Sequence, residues 1–283
     1  MRASLSMPEI RKKMDKEGYV ILRAFLEPAV VESARAAASE LVEGIARDLV
    51  KSGAVPHAFE EAPFETRMIR LFEKNMDSAP KQFRENLHLP GMFPLFFHPR
   101  LLDVVESMIG PEVRLYPNYT VRPKLPEWKG TEVLWHQDGA YTKSYTDSAP
   151  ITTMTMVNVW APFVRATQEN GCMEFIPGTH KLGVVRHEDR EYYLEIAEEE
   201  LVSRRSQAVP IEMDPGDVVL FNNLLFHRGR PNHAQTIRWS ADWRYQDATQ
   251  GTHRPHVGHL ARSVAYPDKV VRTAQDWARL TFV

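Results

Sequence analysis

The sequence has little that would suit an oxidising compartment or a membrane. Its 283 residues include one cysteine, Cys172, which excludes an internal disulfide framework. No apolar run approaches the roughly 20 residues that a membrane-spanning helix needs, and the first residues lack the apolar centre of a secretory signal peptide. A cytoplasmic location is therefore expected. Cys172 stands in a strand-like run without a neighbouring base, which predicts a buried and inert thiol.

The sequence also lacks an excess of charge of one sign. Lysine and arginine total 35 against 37 for aspartate and glutamate, so the chain carries no strong field that would attract nucleic acid or an anionic membrane. Neither is an expected partner. A chain of this length that is 43% hydrophobic can bury a large core, which predicts a single domain over residues 1–283.

The N-terminal part, about residues 1–110, has the periodicity of helices. A short helix in "SLSMPEIRKKMDKEG" is predicted to end at Gly18, a strand follows in "YVILRAF", and "LEPAVVESARAAASELVEGIARDLV" is the longest amphipathic run. After a loop over about residues 50–64, another helix is predicted in "FETRMIRLFEKNM". Its apolar stripe is expected to join the core and consists of Met68, Leu71 and Phe72.

The middle of the chain, about residues 111–250, has a different sequence pattern. Short β-type runs are separated by turns rich in Pro, Gly, Asn and Asp, namely "VRLYPNYTVRP", "EVLWHQD", "TTMTMVNVWAPF", "GCMEFIPG", "DVVLFNNLLFH" and "TIRWSADWRYQ". This pattern predicts a mainly β fold, a sandwich or jelly roll flanked by helices, with a loop and helix over residues 251–283. The charged segment 186–207 is an excursion between strands, either a solvated helix or loop or an active-site lid.

Two metal-binding side chains lie close together in "VLWHQDGAY". On a strand, residues two apart project to the same face, so His136 and Asp138 can reach one metal from adjacent positions. The pair alone is a weak signal. A second signal is His227, which ends an apolar strand in "DPGDVVLFNNLLFHRGRPN". Two imidazoles and one carboxylate leave one side of a metal open, which suits non-haem Fe(II) and oxygen chemistry, with zinc as the alternative.

An arginine lies within the next strand-like run. Arg238, eleven positions after His227, needs an anionic partner to offset its desolvation if the strand is buried. Ser240 shares its face, so the two side chains can clamp the far end of a dicarboxylate. The alternative is a structural arginine that pairs with a carboxylate of the protein.

These motifs, in this order and spacing, carry a family resemblance. "WHQDGAY", "NGCMEFIPGTHK", "PGDVVLFNNLLFHRGRPN" and "RWSADWRYQ", together with "EGYVILRAFLEP" near the N-terminus, resemble the phytanoyl-CoA dioxygenase family of Fe(II)- and 2-oxoglutarate-dependent oxygenases. The resemblance implies a double-stranded β-helix, cupin-like, with iron held by His136, Asp138 and His227 and 2-oxoglutarate anchored by Arg238. Trp160 matches a tryptophan that lines the cofactor pocket in some members, although core packing explains it equally well.

The resemblance also implies a reaction. A C–H bond of a small organic molecule would be oxidised by O2 while 2-oxoglutarate is converted to succinate and CO2. Halogenases of this superfamily have a small residue in place of the carboxylate, so Asp138 favours hydroxylation or a related oxidation. The rival hypothesis is a non-catalytic jelly-roll protein that binds a metal and a small ligand.

Several other residues are weaker candidates. Thr120, Arg122 and Lys124 share one strand face in "NYTVRPKLP" and are candidates for contact with cofactor or substrate, with surface exposure as the alternative. Tyr141 and Tyr145 are candidates for the substrate mouth or for packing. A second metal site in "THRPHVGH" is not expected, because Pro255 and Gly258 favour an irregular loop there. Its histidines are His253, His256 and His259.

Overall fold

The computed structural model describes residues 5–143, 153–190 and 194–283. Within these ranges the α-helices are α1 (Met7–Glu17), α2 (Pro28–Lys51), α3 (Arg67–Phe72), α4 (Phe93–Phe96), α5 (Pro99–Ile109), α6 (Asp138–Lys143), α7 (Glu198–Leu201) and α8 (Ala274–Arg279). None of these helices has the length and apolar character required to cross a lipid bilayer.

Local chemistry sets the limits of the N-terminal helices. At the start of α1 the Glu9 carboxylate accepts bonds from the backbone N–H and hydroxyl of Ser6, at 2.8 and 2.6 Å. The helix stops at Gly18, whose φ of 83° is the left-handed conformation that glycine adopts without strain. The predicted end of α1 is confirmed.

The strands are β1 (Tyr19–Leu22), β2 (Val113–Leu115), β3 (Thr120–Lys124), β4 (Val133–His136), β5 (Met156–Pro162), β6 (Met173–Ile176), β7 (His187–Asp189), β8 (Leu194–Ile196), β9 (Val209–Ile211), β10 (Val218–Phe221), β11 (Phe226–Gly229), β12 (Arg238–Asp247) and β13 (His259–Arg262). All the pairings between them are antiparallel.

The larger sheet has the order β1-β10-β5-β12-β2-β13, with β3 also paired to β12, and the smaller has the order β4-β11-β6-β9. Strands β7 and β8 form a separate ribbon. The mixture of helices and antiparallel sheets agrees with the sequence prediction. Strand β1 comes from the helical N-terminal part and β13 from the C-terminal part, so both ends of the chain contribute to the larger sheet.

Strand β12 is buried on both faces, but the two faces differ in chemistry. Trp239, Ala241 and Trp243 point outward into the main apolar core, which they share with α2 and α5. The alternate residues point inward and are all polar, namely Arg238, Ser240, Asp242, Arg244 and Gln246. Because strand side chains alternate, one strand closes the helical core on one side and provides a polar wall on the other.

A second apolar cluster lies between the two sheets. It joins Trp160, Val219 and Phe221 of the larger sheet to Met173 and Phe175 of the smaller one. The polar face of β12 therefore opens into the space between the sheets.

Two predicted segments differ from expectation in detail. The helix predicted in "FETRMIRLFEKNM" is confined to Arg67–Phe72, although its stripe of Met68, Leu71 and Phe72 is buried as expected. The charged segment 186–207 contains the β7–β8 ribbon and the short helix α7, and its residues 191–193 lie outside the described ranges. The choice between a solvated excursion and an active-site lid stays open for this segment.

Candidate metal centre and its cavity

Three side chains with metal-binding atoms converge between the sheets. His136 ends β4, Asp138 begins α6, and His227 lies on β11, whose register places it directly opposite His136. Their ligand atoms all lie within 4.8 Å of one another, and no other such group of three occurs among the described residues. Strand pairing thus brings together residues that are 91 positions apart in the sequence.

The distances fit a single metal ion. The Asp138 Oδ1 atom is 3.4 Å from His136 Nε2 and 3.9 Å from His227 Nε2. Bonds of about 2.1 Å at right angles would separate neighbouring donors by about 3 Å, so a modest contraction completes the set. Two nitrogens and one carboxylate oxygen are also the donors that suit iron(II) with open positions.

The reason given above for pairing His136 with Asp138 was wrong in one respect. Strand β4 ends at His136, and Asp138 is the first residue of α6, so the two do not share a strand face. The intervening Gln137 fixes the turn. Its buried side chain donates to the carbonyls of Gly183 and Leu224, both at 2.7 Å, and these bonds orient the chain between the two ligands.

Both histidines are held with the same ring nitrogen facing the centre. His136 Nδ1 contacts the carbonyl of Leu134 at 2.7 Å, and His227 Nδ1 contacts that of Leu225 at 2.8 Å. Each carbonyl favours the tautomer with the proton on Nδ1, which leaves the Nε2 lone pair for a metal. Burial, reinforced by the nearby His136, lowers the pKa of His227 to about 3, so His227 is neutral at physiological pH.

Asp138 is held in place through its other oxygen. Oδ2 accepts hydrogen bonds from Asn158 Nδ2 and Arg244 Nη2, both at 2.7 Å. Burial alone would raise the pKa of Asp138, but the Arg244 guanidinium and the two histidines hold it well below its usual value. The carboxylate is therefore charged, oriented and free to present Oδ1 to the centre.

Arg244 continues into a second charge pair. Its Nη1 donates to Asp242 Oδ1 at 2.7 Å, while Asp242 Oδ2 accepts from Thr120 Oγ1 at 2.6 Å and Arg122 Nε at 2.7 Å. Burial opposes ionisation of Asp242, yet Arg122 and Arg244 keep its pKa below the usual range. Both carboxylates of this wall are thus neutralised by arginines of the protein itself.

Arg238 lies on the same face without such a partner. Its side chain is buried, donates through Nη1 to the Ser240 hydroxyl, and places its guanidinium 5.3 Å from the ring centre of Trp160. No described carboxylate lies within ion-pair distance of it, and its Nε has no hydrogen-bond partner there. Burial lowers the pKa of Arg238 to about 10, so its guanidinium is positively charged at neutral pH. It has no anionic partner among the described residues.

The centre opens into a cavity of about 250 Å³. Among the weaker candidates, Arg122, Tyr141 and Trp160 line it. Thr120, Lys124 and Ser240 do not: Thr120 and Ser240 support wall residues, whereas Lys124 Nζ donates to the carbonyl of Thr131 at 2.9 Å. Tyr145 lies outside the described residues. The lining also includes Gln82, Arg84, Asn118, Val133, Met173, Phe221, Gly229, Asp242, Arg244 and Arg254.

Trp160 is both a core residue and part of the cavity wall, and its contact with a cofactor stays a prediction. It belongs to the apolar cluster between the sheets and also forms part of the cavity wall. Tyr141 contacts the edge of His136, with ring centres 5.6 Å apart, and its hydroxyl accepts from the Leu194 N–H at 3.1 Å. This hydrogen bond connects the segment that follows His136 and Asp138 to the charged segment 186–207.

Sequence reasoning missed the residues that support the candidate metal ligands. Asn158 and Arg244 bind the Asp138 carboxylate, and Asp242 anchors Arg244. A signal was present: alternation puts Asp242 and Arg244 on the face of Arg238, and Asn158 on the face of Trp160. The same alternation gave no sign of Arg84, which lies outside the strands.

The remaining predictions concern residues away from the centre. Cys172 is a buried free thiol, and burial raises its pKa to about 11, as an inert cysteine requires. Among the described residues, the histidines of "THRPHVGH" form no metal-binding group. His259 instead contacts His88, with their Nε2 atoms 3.4 Å apart.

The chain is similar to known proteins over most of its length. Residues 14–240 match the family model described as phytanoyl-CoA dioxygenase. A 1-deoxypentalenic acid 11-beta-hydroxylase of Streptomyces arenae is 26% identical over 255 residues, which cover 83% of this chain and 79% of that protein.

Similar folds are also found among solved structures. A structure of EctD from S. alaskensis with 2-oxoglutarate and 5-hydroxyectoine has a TM-score of 0.62 at 22% identity, covering 99% of this chain and 86% of EctD. The epimerase SnoN, in complex with Fe3+, alpha ketoglutarate and nogalamycin RO, has a TM-score of 0.58 at 21% identity, covering 86% of this chain and 84% of SnoN.

Proposed function

The chain belongs to the phytanoyl-CoA dioxygenase family, and from this premise we propose that His136, Asp138 and His227 hold iron(II) and that Arg238 anchors 2-oxoglutarate. The protein is a non-haem oxygenase that depends on iron(II) and 2-oxoglutarate. Its two sheets, with the metal donors between them, are those of a double-stranded β-helix. Its substrate is a small organic molecule, because the cavity beside the donors measures about 250 Å³.

One observation carries this proposal. The three metal donors line the same cavity as Arg238, which has no carboxylate within ion-pair distance among the described residues. A bound 2-oxoglutarate has two ends that match the two features, a keto acid for a metal and a distal carboxylate for a guanidinium. A structural zinc site would explain the donors but leave the buried charge of Arg238 without compensation.

When bound, iron(II) and 2-oxoglutarate supply the means to oxidise a C–H bond with O2, forming succinate and CO2. The protein orients and shields this chemistry. Asn158 and Arg244 fix the Asp138 carboxylate, and the neutral His227 needs no deprotonation before it binds metal. The apolar side chains of Trp160, Met173 and Phe221 line the cavity and exclude water from the reacting groups.

Asp138 also bears on the type of oxidation. Its carboxylate occupies the position that a halide would need, so we expect hydroxylation or a related oxidation. A chlorinated product from the unmodified protein, given chloride and its true substrate, would contradict this assignment.

The test measures succinate from the purified protein. Anaerobic protein is loaded with Fe(II) and 2-oxoglutarate and then exposed to O2, with parallel samples that lack iron, 2-oxoglutarate or O2. Slow succinate formation without added substrate is expected only in the complete mixture. A protein that binds iron but forms no succinate, even with a panel of small organic molecules, would support the non-catalytic hypothesis instead.

A further inference from the structure

The walls of the cavity carry more positive charge than the metal centre and its co-substrate require. Among the described residues, five arginines line the cavity, Arg84, Arg122, Arg238, Arg244 and Arg254, whereas the carboxylates there are those of Asp138 and Asp242. If the proposed function holds, iron(II) and the 2-oxoglutarate dianion have opposite charges, so loading the centre leaves this excess unchanged. An excess of buried and half-buried cations is costly unless a further anion enters.

The two carboxylates are already used within the wall. Arg244 bridges Asp138 and Asp242, and Arg122 donates to Asp242 at 2.7 Å. Arg254 donates to the Tyr116 hydroxyl at 3.0 Å, and its guanidinium lies 5.5 Å from the centre of that ring. Arg84 differs from all of these because its side chain makes no hydrogen bond or ion pair with a described residue, and its buried Nε has no partner.

The backbone fixes Arg84 at this place. The preceding residue, Phe83, exchanges two backbone hydrogen bonds with Val121 of β3, at 2.8 and 3.0 Å. The Phe83 ring is buried and stacks on Trp239 with ring centres 6.1 Å apart. Arg84 is therefore attached to the edge of the larger sheet beside Arg122, and it does not extend freely into solvent.

The electrostatics of Arg84 agree with an anion site. Burial, and then the neighbouring charge of Arg122, lower the pKa of Arg84 to about 10, and Arg244 and Arg254 contribute in the same direction. Asp242 opposes this effect, but its charge is already shared by two other arginines. An arriving oxyanion would relieve the mutual repulsion of these guanidinium groups.

We propose that the primary substrate carries an oxyanion, a carboxylate or a phosphoryl group, and that Arg84 binds it together with Arg254 in the cavity that Arg238 also lines. The inference rests on the proposed function, and it specifies the substrate class. The anion would fix one end of the substrate and so determine which C–H bond faces the metal. Arg84 is a specificity-determining residue in this account.

Direct binding of simple anions tests the site without knowledge of the substrate. The protein is loaded anaerobically with Fe(II) and 2-oxoglutarate and titrated calorimetrically with inorganic phosphate and, separately, with acetate. Arg84→Gln is expected to weaken binding of at least one of them tenfold or more, and Arg84→Lys to weaken it less because it keeps the charge. Arg47→Gln is the matched control, because Arg47 is an exposed arginine on α2 that pairs with Glu43. It should behave like the unmodified protein.

Three outcomes would overturn the inference: neither anion binds the unmodified protein, Arg84→Gln binds both as tightly as the control, or Arg84→Gln weakens 2-oxoglutarate but neither probe. The last result would assign Arg84 to the co-substrate. Thermal unfolding of each variant checks that the fold is kept. If Arg84→Gln does not fold, the anion affinity of Arg84→Lys is compared with that of the control instead.

Turnover gives a second and separate readout. Small carboxylic acids and alkyl phosphonates are compared with the matching neutral amides and alcohols as stimulants of succinate formation. Only anionic members should stimulate, and Arg84→Gln should lose the stimulation, whereas the control Arg47→Gln should keep both the stimulation and the slow basal rate. Equal stimulation by neutral partners would contradict the inference, whereas absence of the basal rate in the unmodified protein would contradict the proposed function itself.

Discussion

Charged side chains at the two ends of the inward face of β12 differ in their partners. At one end, Asp242 and Arg244 are paired with each other, and Arg244 also binds the metal ligand Asp138. At the other end, Arg238 is equally buried but has a serine hydroxyl and an indole ring as neighbours. The charges of the first arrangement are neutralised within the protein, whereas the second has no carboxylate partner among the described residues and is where we propose that 2-oxoglutarate binds. Residues of one strand, spaced two apart, can therefore serve stability at one end and binding at the other.

The largest expected effect comes from removing a donor of the metal centre. His136→Ala, Asp138→Ala and His227→Ala should each abolish tight iron binding and succinate formation, because each leaves at most two of the three ligands that converge there. Iron retained after gel filtration and succinate yield measure the two effects. The exposed His233, which pairs with Glu127, provides the control variant His233→Ala. Full activity in any one of the three donor variants would remove that residue from the set.

The next effect concerns the paired end of β12. Arg244→Met should destabilise the fold by about 3–5 kcal/mol, because it leaves two buried carboxylates without their shared cation. Arg238→Met, the matched substitution at the unpaired end, should change the stability of the ligand-free protein by about 1 kcal/mol or less, in either direction. Urea unfolding of the two variants gives the comparison. Similar losses at both ends would show that Arg238 has a structural partner of equal importance.

A smaller but more specific effect is expected at the unpaired end when ligand is present. Arg238→Met should weaken 2-oxoglutarate binding by about tenfold to several hundredfold, since charge-assisted bonds contribute about 1.5–3 kcal/mol each. Iron affinity should change little, because no metal donor is altered. Anaerobic titrations with 2-oxoglutarate and with Fe(II) separate the two. If the affinity for 2-oxoglutarate is unaltered, another cation anchors the co-substrate. Arg122 and Lys124 are then the next residues to substitute.

The smallest expected effect is on the pH dependence of stability. It contrasts His259, which contacts His88, with the histidines of the candidate metal centre. Burial, and then the nearby His88, lower the pKa of His259 to about 4, against an ordinary value of 6.5. Between these values the unfolded chain binds a proton that the folded His259 does not, so the free energy of unfolding falls as the pH decreases from about 6.5 to about 4.

His259→Gln should reduce that slope by up to one proton, or about 1.4 kcal/mol per pH unit. Urea unfolding at a series of pH values measures it, with His233→Gln as the surface control. The part of the slope that comes from His227, whose pKa burial also lowers, should respond to added metal, whereas the His259 part should not. An identical slope in His259→Gln and the unmodified protein would contradict this account.

Local pattern in the sequence was enough for many of the regular elements and for naming the side chains that converge at the candidate metal centre. Alternation and turn residues predicted the β-rich middle of the chain, and the stop of α1 followed from Gly18. The candidate donors His136, Asp138 and His227 and the buried Arg238 could be named because rare combinations of residue types have few chemical uses. Even so, the pairing of His136 with Asp138 depends on a strand that ends and a helix that begins between them, which the pattern did not predict.

The sequence by itself determined which side chains could bind a metal and an anionic co-substrate, since that depends on residue type and short spacing. Only the tertiary structure decided what surrounds them, because charge neutralisation depends on distances between strands that are remote in sequence. Asn158 and Arg244 become supports of Asp138 through the pairing of β5 with β12. Arg84, one of many arginines in the sequence, becomes distinctive because folding half-buries it near other cations and gives it no ion pair with any described residue.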